Sequence, residues 1–255
     1  MSFLLNSYRF AGAAFSPADI ANLALWFDAD DLSTLWQDDA HTTAVTSNDD
    51  PVGAWQSKAT GAQYCIQATA GSKPTYKTGV APSGLPAIYG DGGDHLFYNA
   101  GSGFTSDMYV SVFVVANNTA ATTLGTVWGT SKFDSNQQYI GCDRRSSPKR
   151  LYQITVSGTT VNIDLTSQDD TANFNQLSCI RNDTSAQAWK NGTSQGTSTP
   201  TTGNTINNGI RLFAQNAAGF LLTGHIAELI AYEAVLSTTD RQSVEAYLKA
   251  KWGTP

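Results

Sequence analysis

Gln176-Leu-Ser-Cys-Ile-Arg-Asn-Asp-Thr-Ser-Ala-Gln-Ala-Trp-Lys-Asn-Gly-Thr-Ser194 holds two short runs of strand formers, 176–181 and 186–190. Asn182-Asp183 separates them and Asn191-Gly192 follows the second. Asn, Asp and Gly tolerate the positive φ that tight hairpin turns demand, so the chain is expected to double back twice here. No helical period lies between the runs, which favours an antiparallel meander over parallel crossovers.

The same pattern extends in both directions. Val156-Ser-Gly-Thr-Thr-Val161 and Asn207-Asn-Gly209 are further turn signals. Alternating or β-branched and aromatic runs predict strands near 24–29, 109–117, 125–130, 138–142, 151–156, 160–165, 210–215 and 226–231. Residues 38–86 mix Asp, Thr, Gly, Pro and Ser with isolated aromatics, and predict long ordered loops with few strands. The expectation is an all-β fold, a two-sheet antiparallel sandwich, with one short C-terminal helix. That helix spans Ser237 to Gly253, with Ser237 and Asp240 close to a capping box. Val244, Tyr247, Leu248 and Trp252 share its apolar face and Gly253 stops it, so it should cap one edge of the sandwich.

Composition narrows the function. Charged residues make up 14% of the chain and the formal charge is -6, so no basic surface is available to neutralise phosphates and nucleic acid is excluded as a partner. No run approaches the roughly 20 apolar residues that cross a bilayer, and no membrane insertion is expected. The first residues lack a basic segment before an apolar run, and they do not read as a signal peptide. Cys65, Cys142 and Cys179 show no metal-binding spacing and read as small core residues. All three Glu, at 228, 233 and 245, lie near the C-terminus, so other carboxylates are short Asp side chains suited to turns or metals.

Three segments resemble the bacterial and phage branch of the laminin-G/concanavalin A-like jelly-roll family. They are Leu25-Trp-Phe-Asp-Ala-Asp-Asp-Leu-Ser-Thr-Leu35 with Asp50-Pro-Val-Gly-Ala-Trp55, then Gly84-Leu-Pro-Ala-Ile-Tyr-Gly-Asp-Gly-Gly-Asp-His-Leu96, and Gly224-His-Ile-Ala-Glu-Leu-Ile-Ala-Tyr-Glu-Ala-Val-Leu-Ser237 running into Tyr247-Leu-Lys-Ala-Lys-Trp-Gly253. The resemblance implies a single sandwich domain over 17–255, preceded by an N-terminal arm at 1–16. Ser2-Phe-Leu-Leu-Asn-Ser-Tyr-Arg-Phe-Ala11 resembles the start of phage tail or head-fibre proteins. It implies a virion protein made in the host cytoplasm, contacting other virion proteins through the arm, forming a homo-oligomer and touching host surface glycans.

Function on such a fold must be argued from sites. Glucanases of this fold carry Glu-x-Asp-x-Glu on one strand, and the chain has no such motif. Asp28 and Asp30 would share a face if their strand continued, and they are the one carboxylate pair considered for glycoside hydrolysis. His41, His95 and His225 carry no nucleophile signature and read as surface or turn residues. No catalytic residue is assigned. Asp91 and Asp94, around two glycines, with Asp30 and Asp31, form the candidate calcium set, against a plainer role as turn caps. For glycan stacking the candidates are Trp36, Trp55 and Trp189, which lie near loops or strand ends. A lectin-like, non-enzymatic virion protein is the reading; the alternatives are a capsid decoration protein without ligand, a secreted carbohydrate-binding module and a glycoside hydrolase.

Overall fold

A computed structural model describes residues 15–59, 63–98, 108–120, 125–132, 138–144, 150–156, 159–164, 172–202, 210–215 and 219–255. The strands are β1 (Leu23–Asp28), β2 (Leu35–Trp36), β3 (Ala54–Gln56), β4 (Tyr64–Ile66), β5 (Thr75–Lys77), β6 (Ala87–Asp91), β7 (Leu96–Tyr98), β8 (Tyr109–Ala116) and β9 (Gly125–Lys132). They continue as β10 (Gln138–Arg144), β11 (Arg150–Val156), β12 (Thr159–Asp164), β13 (Asn175–Asn182), β14 (Ser185–Lys190), β15 (Thr193–Ser198), β16 (Ile210–Leu212) and β17 (Thr223–Tyr232), followed by helix α1 (Thr238–Trp252).

Two antiparallel sheets form. The first runs β15-β14-β13-β8-β17-β6-β5, with β1 also paired to β17; the second runs β12-β11-β10-β9-β16-β7-β4-β3-β2. Between them lies a core that includes Leu25, Phe27, Trp55, Val112, Val114, Trp128, Leu212 and Leu229. Strand β8 reads as an almost unbroken apolar run because both of its faces are covered. Val112 and Val114 face the second sheet, while Phe113 and Val115 meet α1 together with Ile230 and Tyr232 of β17.

The helix therefore lies on the outer face of the first sheet and does not cap an edge. Val244, Leu248 and Trp252 are fully buried there. Its ends are fixed as the sequence predicts: Ser237 Oγ accepts from Asp240 N at 3.1 Å, and Gly253 closes the helix at φ 69°. Among the described residues no helix is long and apolar enough to cross a membrane.

Each strand segment expected from periodicity is present, although the one expected over 210–215 ends at Leu212, before Phe213 turns at φ 67°. The β14–β15 hairpin turns at Asn191 and Gly192, with φ of 49° and 74°, the two positive values of a type I′ turn. Asp183, at φ 49°, turns β13 into β14. The turns at 157–158 and 207–209 lie outside the described residues. Among the described residues between 38 and 86 only the three-residue strands β3, β4 and β5 form, and short polar side chains organise the loops between them. Asp38 accepts from Thr42 N and Thr43 N, and Asp50 from Thr46 N and Ser47 N. Residues 1–14 of the expected arm are outside the described residues. Phe15 meets Tyr247 of α1 with ring centroids 6.1 Å apart, and Tyr232 OH donates to Pro17 O at 2.9 Å.

Candidate functional site

At one edge of the first sheet, β5 and β6 form the floor of an open cleft of about 310 Å³, lined by Lys73, Thr75, Lys77, Tyr89, Asp91 and Asp94. Register places Thr75 opposite Tyr89, and Tyr89 opposite His225 on β17. The Tyr89 ring is half-buried and backed by the His225 imidazole at 4.8 Å, which also meets Phe174 at 5.6 Å. Lys77 Nζ lies 5.6 Å from the Tyr89 ring centroid and is ion-paired with Asp49. Lys73 Nζ donates to Gln37 O at 2.9 Å. Burial, then the charge of Lys77, pushes the His225 imidazole down to about 4, so the ring behind Tyr89 is neutral at physiological pH.

The turn at the end of β6 forms one cleft wall. Gly92 sits at φ 93°, where a side chain would be strained and a Cβ would meet Thr223 Oγ1 at 2.7 Å. Asp91 Oδ1 accepts from Gly93 N at 2.7 Å, and Asp94 Oδ2 accepts from Asp91 N at 3.0 Å. Burial raises Asp94 to about 6, with the neighbouring Asp91 carboxylate adding to the shift.

The expected calcium set is divided by this geometry. Asp91 pairs with Thr223 and Asp28 with Glu228, five residues along β17, so Asp30 and Asp31 lie beyond a point roughly 17 Å away at ~3.4 Å per residue. Asp30 is exposed; Asp31 accepts from Ser33 N and pairs with Lys58 at 3.1 Å. Among the described residues no three His, Cys, Asp or Glu side chains converge to hold a metal. Asp91 and Asp94 each commit an oxygen to a backbone N–H, which falls short of the roughly six to eight oxygens that calcium takes.

The three tryptophans separate as well. Trp55 is fully buried and meets Phe27 at 5.6 Å, because its register with Leu35 and Cys65 turns all three side chains into the core. It is not a stacking platform. Trp36 is half-buried on edge strand β2, 5.3 Å from His41 and 5.7 Å from Tyr64, whose rings stack at 3.9 Å. Trp189 is 8% exposed, with the Arg241 guanidinium over its ring at 4.4 Å. Arg241 is ion-paired with Glu245, which accepts from Ser178 Oγ at 2.7 Å. A second groove, about 220 Å³, runs from this pair along Ile180, Asn182 and Gln187.

The expected Asp28/Asp30 carboxylate pair does not form. Strand β1 ends at Asp28 and the chain turns, with Asp30 N donating to Asp28 Oδ1 at 3.1 Å, so the alternation that would align the two is broken. Asp28 belongs instead to a buried cluster that sequence reading did not assemble. Its Oδ1 takes Lys251 Nζ at 2.6 Å and its Oδ2 takes Lys58 Nζ at 2.9 Å. Its cross-strand partner Glu228, fully buried, accepts Trp26 Nε1 and Trp252 Nε1, each at 2.6 Å, and Tyr247 OH at 3.0 Å. Lys251 Nζ also reaches Glu228 Oε2 at 3.2 Å. Burial, followed by the charge of Asp28, pushes the Glu228 carboxyl above its ordinary value. This cluster locks the end of α1 onto β1 and β17.

His225 is a strand residue, not a surface or turn residue, and its place in β17 accounts for its contacts with Tyr89. The cleft residues Lys73, Thr75, Lys77 and Tyr89 escaped sequence reading. Tyr89 stood inside the Gly84–Leu96 segment, but only its pairing with Thr75 and His225 brings the others to it.

No family model and no curated protein matches this chain. Solved structures do. Domain 4 of AbnA, a GH43 extracellular arabinanase from Geobacillus stearothermophilus solved in complex with arabinotriose, is similar at 18% identity and TM-score 0.58, over 88% of this chain and 97% of that one. Trypanosoma rangeli sialidase is similar at 9% identity and TM-score 0.58, over 92% of this chain. The chain spans about a third, 34%, of the sialidase's length. At these identities the likeness establishes a shared sandwich fold.

Proposed function

We propose that this chain is a non-catalytic glycan-binding domain and that the Tyr89 cleft is its saccharide subsite. The observation that carries the reading is the cleft's composition: one aromatic ring flanked by two ammonium and two carboxylate groups in about 310 Å³. Sugars are held by an aromatic face against their C–H groups and by charged or amide groups on their hydroxyls. The volume is at the small end of ligand clefts, roughly 300 Å³ and up, enough for a mono- or disaccharide. The fold shared with the arabinose-oligomer-bound domain makes arabino-oligosaccharides the first probes.

Hydrolysis is disfavoured by spacing. Asp91 and Asp94 lie three residues apart on one tight turn, where Asp94 Oδ2 accepts from Asp91 N and the Asp91 charge raises the Asp94 carboxyl, whereas the two carboxyl groups of a glycosidase stand about 5 Å or more apart to admit the scissile bond. Binding on an array of neutral and acidic glycans tests the proposal. Tyr89→Ala should weaken whichever glycan is retained by about tenfold, ~1.4 kcal/mol. Unchanged binding in that variant would remove the cleft from the account. The reading includes display on a phage particle through residues 1–16. Its support is the sequence of residues 2–11, and co-purification of the chain with induced particles is its test.

A further inference from the structure

The Asp28–Glu228 cluster contains more than an ion pair requires. A lysine amine touches one buried carboxyl group while a second buried carboxyl stands beside the same amine, and a second lysine holds the first carboxyl's other oxygen. Asp28 is 3% exposed and Glu228 is fully buried, and the Trp26, Trp252 and Tyr247 side chains surround them. We infer that this cluster is a covalent cross-linking site, in which Lys251 Nζ and Asp28 Cγ condense to an intramolecular amide bond.

The parts and their distances suit that condensation. Lys251 Nζ is held 2.6 Å from Asp28 Oδ1, so the nucleophile is already against the carboxyl it would attack, and proximity of this kind replaces a bimolecular encounter. Glu228 Oε2, at 3.2 Å from the same nitrogen, is placed to accept its protons. Lys58 Nζ, 2.9 Å from Asp28 Oδ2, stabilises the negative oxygen of the tetrahedral intermediate.

Atoms balance without any co-reactant. Glu228 takes one proton from the ammonium, which frees the lone pair; Nζ attacks Cγ and the N–C bond forms. A second proton leaves nitrogen through Glu228, and Oδ1 departs with both protons as one water when its C–O bond breaks. Glu228 ends as it began, and the amide keeps one N–H. Lys251 is the nucleophile rather than Lys58 because it alone reaches both carboxyl groups. Its side chain is also less exposed, 17% against 25%, and Lys58 is shared with Asp31 and lies over the Trp26 ring at 4.4 Å. The bond would join the first strand to the last turn of the helix, closing almost the whole sandwich into one covalent loop.

Intact-mass spectrometry of the full chain under denaturing conditions decides it. The expected mass is that of the sequence less one water, with a digest containing one branched peptide that joins Asp28 to Lys251. Lys251→Arg should restore the full mass of its sequence, and so should Glu228→Gln if it folds. A folded wild-type chain at its full sequence mass overturns the inference, as does a branch at Lys58. Loss of water persisting in folded Glu228→Gln would overturn the role given to Glu228. The wild-type mass decides the matter even if both variants fail to fold, and it is independent of any glycan result.

Discussion

Trp252→Phe removes one hydrogen bond at the centre of the lock between α1 and the first sheet while keeping an aromatic ring in place. Trp252 is fully buried, and its Nε1 donates to Glu228 Oε2 at 2.6 Å. A hydrogen bond to a charged group contributes ~1.5–3 kcal/mol, and the smaller ring adds roughly 1 kcal/mol for lost packing. The expected loss is therefore about 3 kcal/mol, a large share of the ~5–15 kcal/mol that holds a typical domain together. Trp26→Phe removes the matching 2.6 Å bond from a half-buried ring and should cost somewhat less. The cost also depends on pH. Glu228 is raised above its ordinary 4.5 in the fold, so its share of stability is fully present below that value and is lost as pH rises through the folded value. Removing a donor raises it further, so the deficit of Trp252→Phe should be smaller at acid pH than at pH 8. Urea denaturation followed by circular dichroism at both pH values measures this. A cost under about 0.5 kcal/mol, or one equal at the two pH values, would refute the assignment of Glu228 as a carboxylate held by its indole donors.

Two other outcomes follow from the same geometry. Asp94, raised to about 6, favours folding below the ordinary carboxylate range and loses that contribution as pH rises through about 6; Asp94→Asn should flatten the fall in melting temperature between pH 5 and 7. Gly224→Ala would put a Cβ 2.3 Å from Asn117 O, a backbone atom between β8 and β17, and should destabilise by about 1–3 kcal/mol in thermal melts.

Most of the architecture was legible because its signals are local. Alternation and turn chemistry placed the hairpins around Asp183 and Asn191-Gly192, and Ser237 and Gly253 bounded the helix. What escaped depends on register between distant segments. Trp55 looked available beside a loop, yet its pairing with Leu35 and Cys65 buries it. Asp28 and Asp30 looked aligned, yet the strand stops at Asp28. Glu228 and Lys251 meet Asp28 only because β1 pairs with the end of β17 under the helix, contacts that span about two hundred residues of sequence. Charge pattern alone cannot announce such a cluster, because each member is unremarkable among its own neighbours.

Amide chemical shifts, recorded while a glycan retained on the array is titrated into the folded chain, bear most directly on the central claim. The account predicts that the perturbed residues gather at Thr75, Tyr89 and Asp94. Perturbations centred on Trp189 and Arg241, or no saturable change with any retained glycan, would contradict it.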